Sequence, residues 1–513
     1  LSAGLLLSAG VAGGVLSAVP HTAAATTLPP WTVYHGDAAG SGVATTAVTF
    51  KTERQAWSRT VNGQIYGEPL EATGRVFVAT ENDVVDALSA RTGALLWSKH
   101  VGTAVPASDL PCGDITPTVG ITGTPVVDRA RNEIFVVADK LAGGSPSHHL
   151  VGLNLYTGKI ELTVGVDPPG SEPAALLQRT GLNIDEGRVV FGFGGNAGDC
   201  GPYHGWIISV SATNGATVKR YEVDPRVTER EGAVWMGGAA PEVDATGNVW
   251  AAAGNGSVGT GTPDPYDYSD SVFELSPALA LEQYFAPSSW RTDNAQDLDL
   301  GSASPALLSD GTVVQVGKSW TGYLLTRAHL GGIGGQLATA PNVCSGDPHG
   351  GHAVVGTVVY VACGSGLAAV QTAPSPSPSI AVEWTATTTT NGPPIVAGGL
   401  VWSIDYTALF GIYTSGPTVG QTAIRLGIGS EANHFPTPSV GDGLILAPGG
   451  AGTGNGNAVY AFVGSAGLPP TPRLQPPPNA RYRPVSHVAT ARTSAVRRVA
   501  RLSPRPGTKS GSE

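Results

Sequence analysis

The sequence predicts an all-β protein, an eight-bladed β-propeller of four-stranded antiparallel blades whose ring is closed by an N-terminal strand. Three observations carry that expectation. Short apolar blocks separated by glycine turns recur along almost the whole chain, as in residues 74–97, GRVFVATENDVVDALSARTGALLW, which read as two strands, a tight turn and a third strand. A composition of 71 Gly and 40 Pro, with 13% charged and 41% hydrophobic residues, describes many short connections around a sizeable core. The last repeat is one strand short, whereas a lone strand precedes the first.

Residues 1–19, LSAGLLLSAGVAGGVLSAV, are uncharged and apolar, and Ala23-Ala24-Ala25 follow as a small-residue cleavage site. Residues 1–25 therefore read as an export signal without its basic n-region. An uncleaved anchor is the alternative, since the length approaches the ~20 residues that span a bilayer. Residues 26–54 form an N-terminal extension. From 55 to 463 the second strand of each unit is recognisable: RVFVA at 75, EIFVVA at 133, RVVFGFG at 188, NVWAAAG at 248, TVVQVG at 312, VVYVACG at 358, LVWSI at 400 and LILAPGG at 444. Their spacing, roughly 40 to 65 residues, suits propeller blades with loop insertions and makes eight. The last unit, 457–463, supplies a third strand but no fourth, and 55–61, with Trp57, is expected to add as the missing outer strand and remove an open edge. Trp57, Trp97 and Trp384 fall at or near outer strands, where they should pack between blades.

The connections sort by length. Turns from the first to the second strand of a unit are short: Ala72-Thr73-Gly74, Asp185-Glu186-Gly187, Ala245-Thr246-Gly247, Ser309-Asp310-Gly311 and Gly441-Asp442-Gly443. The long insertions fall between second and third strands or between blades, and both emerge on the opposite face, where a functional site is expected. Cysteines follow the same logic. Cys344 and Cys363 lie at one end of a hairpin in the sixth blade; Cys112 lies in the link from blade one to two and Cys200 in a loop of blade three. Disulfides Cys112–Cys200 and Cys344–Cys363 are expected, in an exported chain. Zinc is the alternative, without a Cys-x-x-Cys pair to support it.

Nine of the 29 Lys and Arg residues lie beyond residue 470, opposed by one of the 39 acids, so the rest of the chain is more acidic than its formal −10, about −18. Such a body argues against nucleic-acid binding. Residues 464–513 read as a Pro-rich linker and disordered basic tail that is either inert or attaches to an anionic cell surface. Histidines 148, 149, 204, 349, 352 and 434 all project from the looped face, and are read as surface or hydrogen-bonding groups rather than a metal site. The acidic loop Asp264, Asp267, Asp270 lacks calcium-loop spacing and reads as solvated. There is no Gly-x-Ser-x-Gly elbow, and the glycines of GGNAG at 194 lie between strands without the helix that phosphate binding needs.

The unit VVDALSARTGALLW resembles the repeat of the pyrroloquinoline-quinone (PQQ) propeller superfamily, which includes quinoprotein alcohol dehydrogenases and a non-enzymatic outer-membrane assembly lipoprotein. The resemblance covers 55–463, and LPCGDITPTVGITGTPV, GDCGPYHGWIISV and NAQDLDLGSASP are similar to a secreted actinobacterial subset. It implies eight blades and, for an enzyme, PQQ and calcium over the central channel. Asn255, in Ala253-Gly254-Asn255-Gly256, would be a cofactor-site residue and calcium ligand, and Asp299 both a calcium ligand and the base. The sequence departs from the enzymes at Asp199-Cys200, where they carry Glu, and at the lone Cys112, where they carry adjacent cysteines. It also has no haem-attachment signature. The expected function is that of a secreted or cell-surface monomer, without cofactor, binding a protein, small-molecule or glycan ligand on the looped face. The alternatives are a PQQ- and calcium-dependent dehydrogenase of an alcohol or sugar, and a cell-envelope scaffold.

Overall fold

The computed structural model describes residues 29–45, 53–225, 231–257, 266–388, 392–451 and 454–464. The export signal, Asp264 and the basic tail lie outside the described residues.

Eight blades, each built on four antiparallel strands, form the ring. Blade one runs outward through Leu70–Ala72, Arg75–Thr80, Val84–Ser89 and Leu95–His100. The three inner strands are almost wholly buried and the outer one is not, because apolar runs such as VFVA and VVDAL face neighbouring blades on both sides. The short inner turns owe their tightness to paired positive φ angles, 57° and 73° at Thr73-Gly74, 46° and 75° at Glu186-Gly187, and 50° and 79° at Asp442-Gly443. That is the geometry of two-residue hairpins matching the right-handed twist of the strands.

The ring closes as the repeat count requires. Blade eight comprises Ser439–Gly441, Leu444–Ala451 and Gly454–Val463, and its outer strand is Arg54–Thr60, paired from Arg54 opposite Val463 to Thr60 opposite Ala458. Trp57 on that strand donates its indole N–H to the Ala90 carbonyl of blade one at 2.8 Å. A Cβ added to Gly93 would sit 2.7 Å from the Trp57 ring. Trp97 repeats the arrangement, donating to the Leu155 carbonyl at 3.0 Å and covering Gly158. The repeated Thr-Gly turn is thus a seat for the tryptophan of the preceding blade, which the glycine leaves room for.

Among the departures from a plain repeat are these three. Blade four gains a parallel strand, Gly332–Ile333, beside Leu281–Ala286. A one-and-a-half-turn helix, Trp290–Ala295, interrupts the link to blade five. The third is the N-terminal extension, whose residues 29–45 run inside the ring against its inner strands. Trp31 bridges Glu71, Val127 donates to Thr32, Val243 to Ala38, Val354 to Ser41 and Val396 to Gly42, so five blades hold this one segment by backbone bonds. Buried Glu68 fixes its turn by accepting from the Trp31 indole and the His35 N–H, both at 2.9 Å.

Several carboxyl groups between blades are buried and, among the described residues, make no ion pair at close range. Burial is the main cause that pushes Glu71 and Asp83 up to about 8 and Glu81 up to about 7. A folded-state pKa above the unfolded value means the native state holds protons that the unfolded state releases, so these groups destabilise the fold as pH rises toward their folded values. His35 and His352 work the other way. Burial lowers them to about 3 and 4, so they cost stability as pH falls below the ordinary histidine value near 6.5. Above that value the histidines no longer oppose the carboxyls. Chemical denaturation should therefore show stability falling from pH 6.5 to 8.5, with Asp83→Asn shrinking the fall; a flat or rising profile would contradict this.

Candidate functional site

On the looped face a cavity of about 270 Å³ opens at the centre of the ring, lined by links and loops of blades one to five and by the link into blade eight. Its chemistry comes from residues far apart in sequence. Asn255 follows the second strand of blade four, Val249–Ala252, and Asp299 ends the link into blade five. The Asn255 N–H donates to Asp299 Oδ1 at 2.7 Å. Any Cβ at Gly254 would lie 2.2 Å from that same oxygen, so only glycine lets the strand end approach the carboxylate. The structure thus brings Asn255 and Asp299 together.

It also brings in groups not singled out from the sequence. Lys318, in the loop after the second strand of blade five, places its ammonium 2.5 Å from Asp299 Oδ2 and 3.2 Å from Asp297 Oδ1. The same ammonium stands 5.8 Å from the centre of the Trp235 ring. Burial disfavours its charge, but Asp299 and Asp297 outweigh that and hold the lysine above its ordinary value. Asp299 in turn is raised by burial and drawn back by Lys318. Glu231 Oε2 accepts from the Asn255 side-chain amide at 3.5 Å, and burial followed by Asp199, Asp299 and Asp297 pushes it up to about 7.

Across the cavity stands Arg179, only 6% exposed. Its guanidinium lies 5.7 Å from the Tyr66 ring centre and 5.6 Å from that of Phe435, and it donates to the His434 carbonyl at 3.4 Å. Among the described residues no carboxylate lies within ion-pair distance of it. Burial lowers its pKa, yet an arginine stays charged, so the cavity wall carries a buried cation whose charge is balanced only at longer range. Trp235, Tyr66 and Phe435 supply flat apolar surface, and His349 stacks on Phe435 at 4.2 Å.

Cys112 is joined to Cys200 and Cys344 to Cys363. The first bridge ties the link after blade one to the loop of blade three at the cavity rim, where Gly198 lies beside it and Asp199 accepts from Tyr203 at 2.5 Å.

Of the other chemistry-bearing residues, His434 and Asp114 line the cavity rim, whereas His148, His204, His352, Asp267 and Asp270 do not line it. His148 lies within the third strand of blade two, Ser145–Asn154, fully buried and 2.8 Å from Asp167, and His352 is buried as well, so neither is a surface histidine. His434 pairs with Asp114 at 3.1 Å at the rim and His204 lies 3.8 Å from Glu222. Asp267 and Asp270 are not solvated but buried: Asp267 accepts from Ser269, and Asp270 takes the Leu300 N–H at 2.8 Å, fixing the segment after Asp299. Backbone donors left over by the irregular link are what draws these carboxylates inward.

Calcium does not fit this arrangement. A hard cation needs several oxygens converging with free lone pairs. Here both oxygens of Asp299 are engaged, one by Asn255 N–H and one by an ammonium that already supplies the positive charge. Among the described residues no three His, Cys, Asp or Glu side chains are grouped to hold a metal.

Residues 13–161 match the family model described as outer membrane protein assembly factor BamB. No curated protein matches the chain. Among solved structures, the fold is similar to a quinohemoprotein alcohol dehydrogenase from Comamonas testosteroni, with a TM-score of 0.62 and 16% identity over 86% of this chain and 82% of that one. It is similar to a europium-containing methanol dehydrogenase, TM-score 0.63 and 13% identity over 85% and 98% of the two chains. BamB from Moraxella catarrhalis matches with a TM-score of 0.52 and 12% identity, over 80% of this chain and 100% of that one. At such identities the likeness is one of fold.

Proposed function

On the premise that this chain is an eight-bladed propeller of the PQQ-repeat superfamily, we propose that its central pocket binds a small, flat organic anion without calcium. The observation that carries the reading is Arg179, a buried cation lining an aromatic-walled cavity with no carboxylate in ion-pair reach among the described residues. A ligand carboxylate there would gain a charge-assisted, bidentate partner, while Trp235, Tyr66 and Phe435 would cover the ligand's plane. Lys318 offers a second cation, shared with Asp299. PQQ, a flat tricarboxylate, has the chemistry this wall would accept, and it would be held by Arg179 and Lys318 rather than through a metal. The two disulfides suit an oxidising, non-cytoplasmic setting; among the described residues no helix is long and apolar enough to cross a membrane.

The dehydrogenase reading keeps one specific support, the contact between Asn255 and Asp299. In that reading Asp299 would take a proton from an alcohol only after Lys318 moved away, because an ion-paired carboxylate is a weaker base.

Binding should respond to pH through Glu231. As pH falls through about 7 this group gains a proton, a negative charge leaves the neighbourhood, and anion affinity rises. Titration with paired aromatic dicarboxylates and their neutral diamides at pH 6 and 8 tests this. Acids should bind, more tightly at pH 6, and Glu231→Gln should reduce the pH dependence. Equal binding of acids and amides would overturn the reading.

A further inference from the structure

A second recess lies on the looped face beside the disulfide of blade six. It encloses about 350 Å³ between blades five and six and is lined by Trp320, Asn342, Ser345, Ser365 and Thr385 around the Cys344–Cys363 bridge. Trp320 is 38% exposed, unusual for the largest apolar side chain. Its φ is 62°, a left-handed conformation that costs a non-glycine residue on the order of 1 kcal/mol. The ring is nevertheless held in place, because the indole N–H donates to Asp347 Oδ1 at 3.1 Å and the Trp320 carbonyl accepts from Val343 N–H at 2.9 Å. This backbone turn sends Lys318 toward the central cavity and leaves Trp320, two residues on, at the recess.

The residues that line the recess are uncharged, and the carboxylate beside them, Asp347, is engaged by the Trp320 indole, so the recess offers no counter-charge to an anionic ligand. What it offers is a flat indole face together with hydroxyl and amide groups: Ser345 and Ser365 share one hydrogen bond at 2.6 Å and keep further donor and acceptor capacity, and Asn342 adds an amide. The covalent bridge anchors both serine-bearing loops at fixed separation. An aromatic plane rimmed by neutral hydrogen-bonding groups matches a ligand with one apolar C–H face and a hydroxylated edge. We propose that this recess is a binding site for a neutral pyranose unit of a glycan. The proposal does not rest on the anion reading of the central pocket, since the two sites share no lining residue.

The test uses the full, oxidised protein and a set of probes: maltotriose, cellotriose, chitotriose and mannotriose as neutral sugars, with sialyllactose and trigalacturonate as charged ones. Saturation-transfer NMR at millimolar sugar, followed by titration, should find at least one neutral trisaccharide that binds and that protects Trp320 from N-bromosuccinimide oxidation, read by peptide mass spectrometry. Trp320→Ala should weaken that binding about tenfold or more, Trp320→Phe by less than about threefold because a flat ring remains, and Ser365→Arg, a surface change that fills the recess, should abolish it. Arg179→Met should leave it unchanged. The site is refuted if no neutral sugar binds to the folded protein, if only the charged sugars bind, or if binding survives both Trp320→Ala and Ser365→Arg.

Discussion

Replacing Trp57 by alanine should cost the fold about 3–5 kcal/mol, the range for removing a buried large aromatic. The residue is 7% exposed, its indole N–H is bonded to the Ala90 carbonyl, and its ring fills the space over Gly93. Its position adds to the effect. Arg54–Thr60 belongs to blade eight in space but precedes blade one in sequence, so this contact holds the strand that joins the first and last blades into a ring. Once it loosens, Gly454–Val463 becomes an unpaired edge. Urea denaturation should show the loss, and hydrogen exchange in Gly454–Val463 should rise before that of blade four. Trp97→Ala removes the same kind of contact from a strand already continuous with its own blade, so its cost should be smaller. A Trp57→Ala loss below about 1 kcal/mol, the scale of an ordinary substitution, would show that closure does not depend on this seat.

Arg179→Met should have the opposite profile, a large loss of binding with the fold intact. Methionine keeps the length and apolar contact with Tyr66 and Phe435 but removes a buried charge that has no ion-pair carboxylate among the described residues, so folding stability should hold or rise. Affinity for PQQ should fall about 100-fold or more, which corresponds to about 2.7 kcal/mol for truncating one side of a buried, hydrogen-bonded charge pair. Arg179→Lys should recover only part of it, since an ammonium cannot offer the same fork. Unchanged PQQ affinity in Arg179→Met would remove the residue from the site.

The ring was legible in the sequence because each blade repeats the same physical problem. Strand blocks such as RVFVA and EIFVVA must be buried on both sides, and glycine must stand wherever a hairpin turns or a tryptophan sits. The odd strand at each end then dictates closure, and the ends of hairpins dictate which cysteines meet. Asn255 and Asp299 could be singled out because the segments that carry them, one after a strand of blade four and one before the inner strand of blade five, resemble those of the superfamily. Lys318 and Arg179 could not. Each comes from a different blade, has no motif around it, and gains its meaning from facing the same cavity; the one available signal was the scarcity of cations in so acidic a body. Residues 29–45 were legible only as an extension, since they are held by backbone bonds to five blades and such bonds leave no side-chain pattern. The burial of Asp267, Asp270, His148 and His352 was hidden for a related reason. Polar side chains near prolines and in long hairpins look solvated until unsatisfied backbone donors, or a partner such as Asp167, draw them inward.

Recognition of a flat anion by arginine and lysine without a metal is tested by calorimetric titration of the oxidised protein with PQQ, first in EDTA and then in calcium. The expected result is saturable one-to-one binding in EDTA, no tighter in calcium and lost in Arg179→Met. Binding that appears only with calcium and disappears in Asn255→Ala would contradict the claim and make the pocket a metal-dependent quinone site; no binding under either condition would contradict PQQ-type anion recognition altogether.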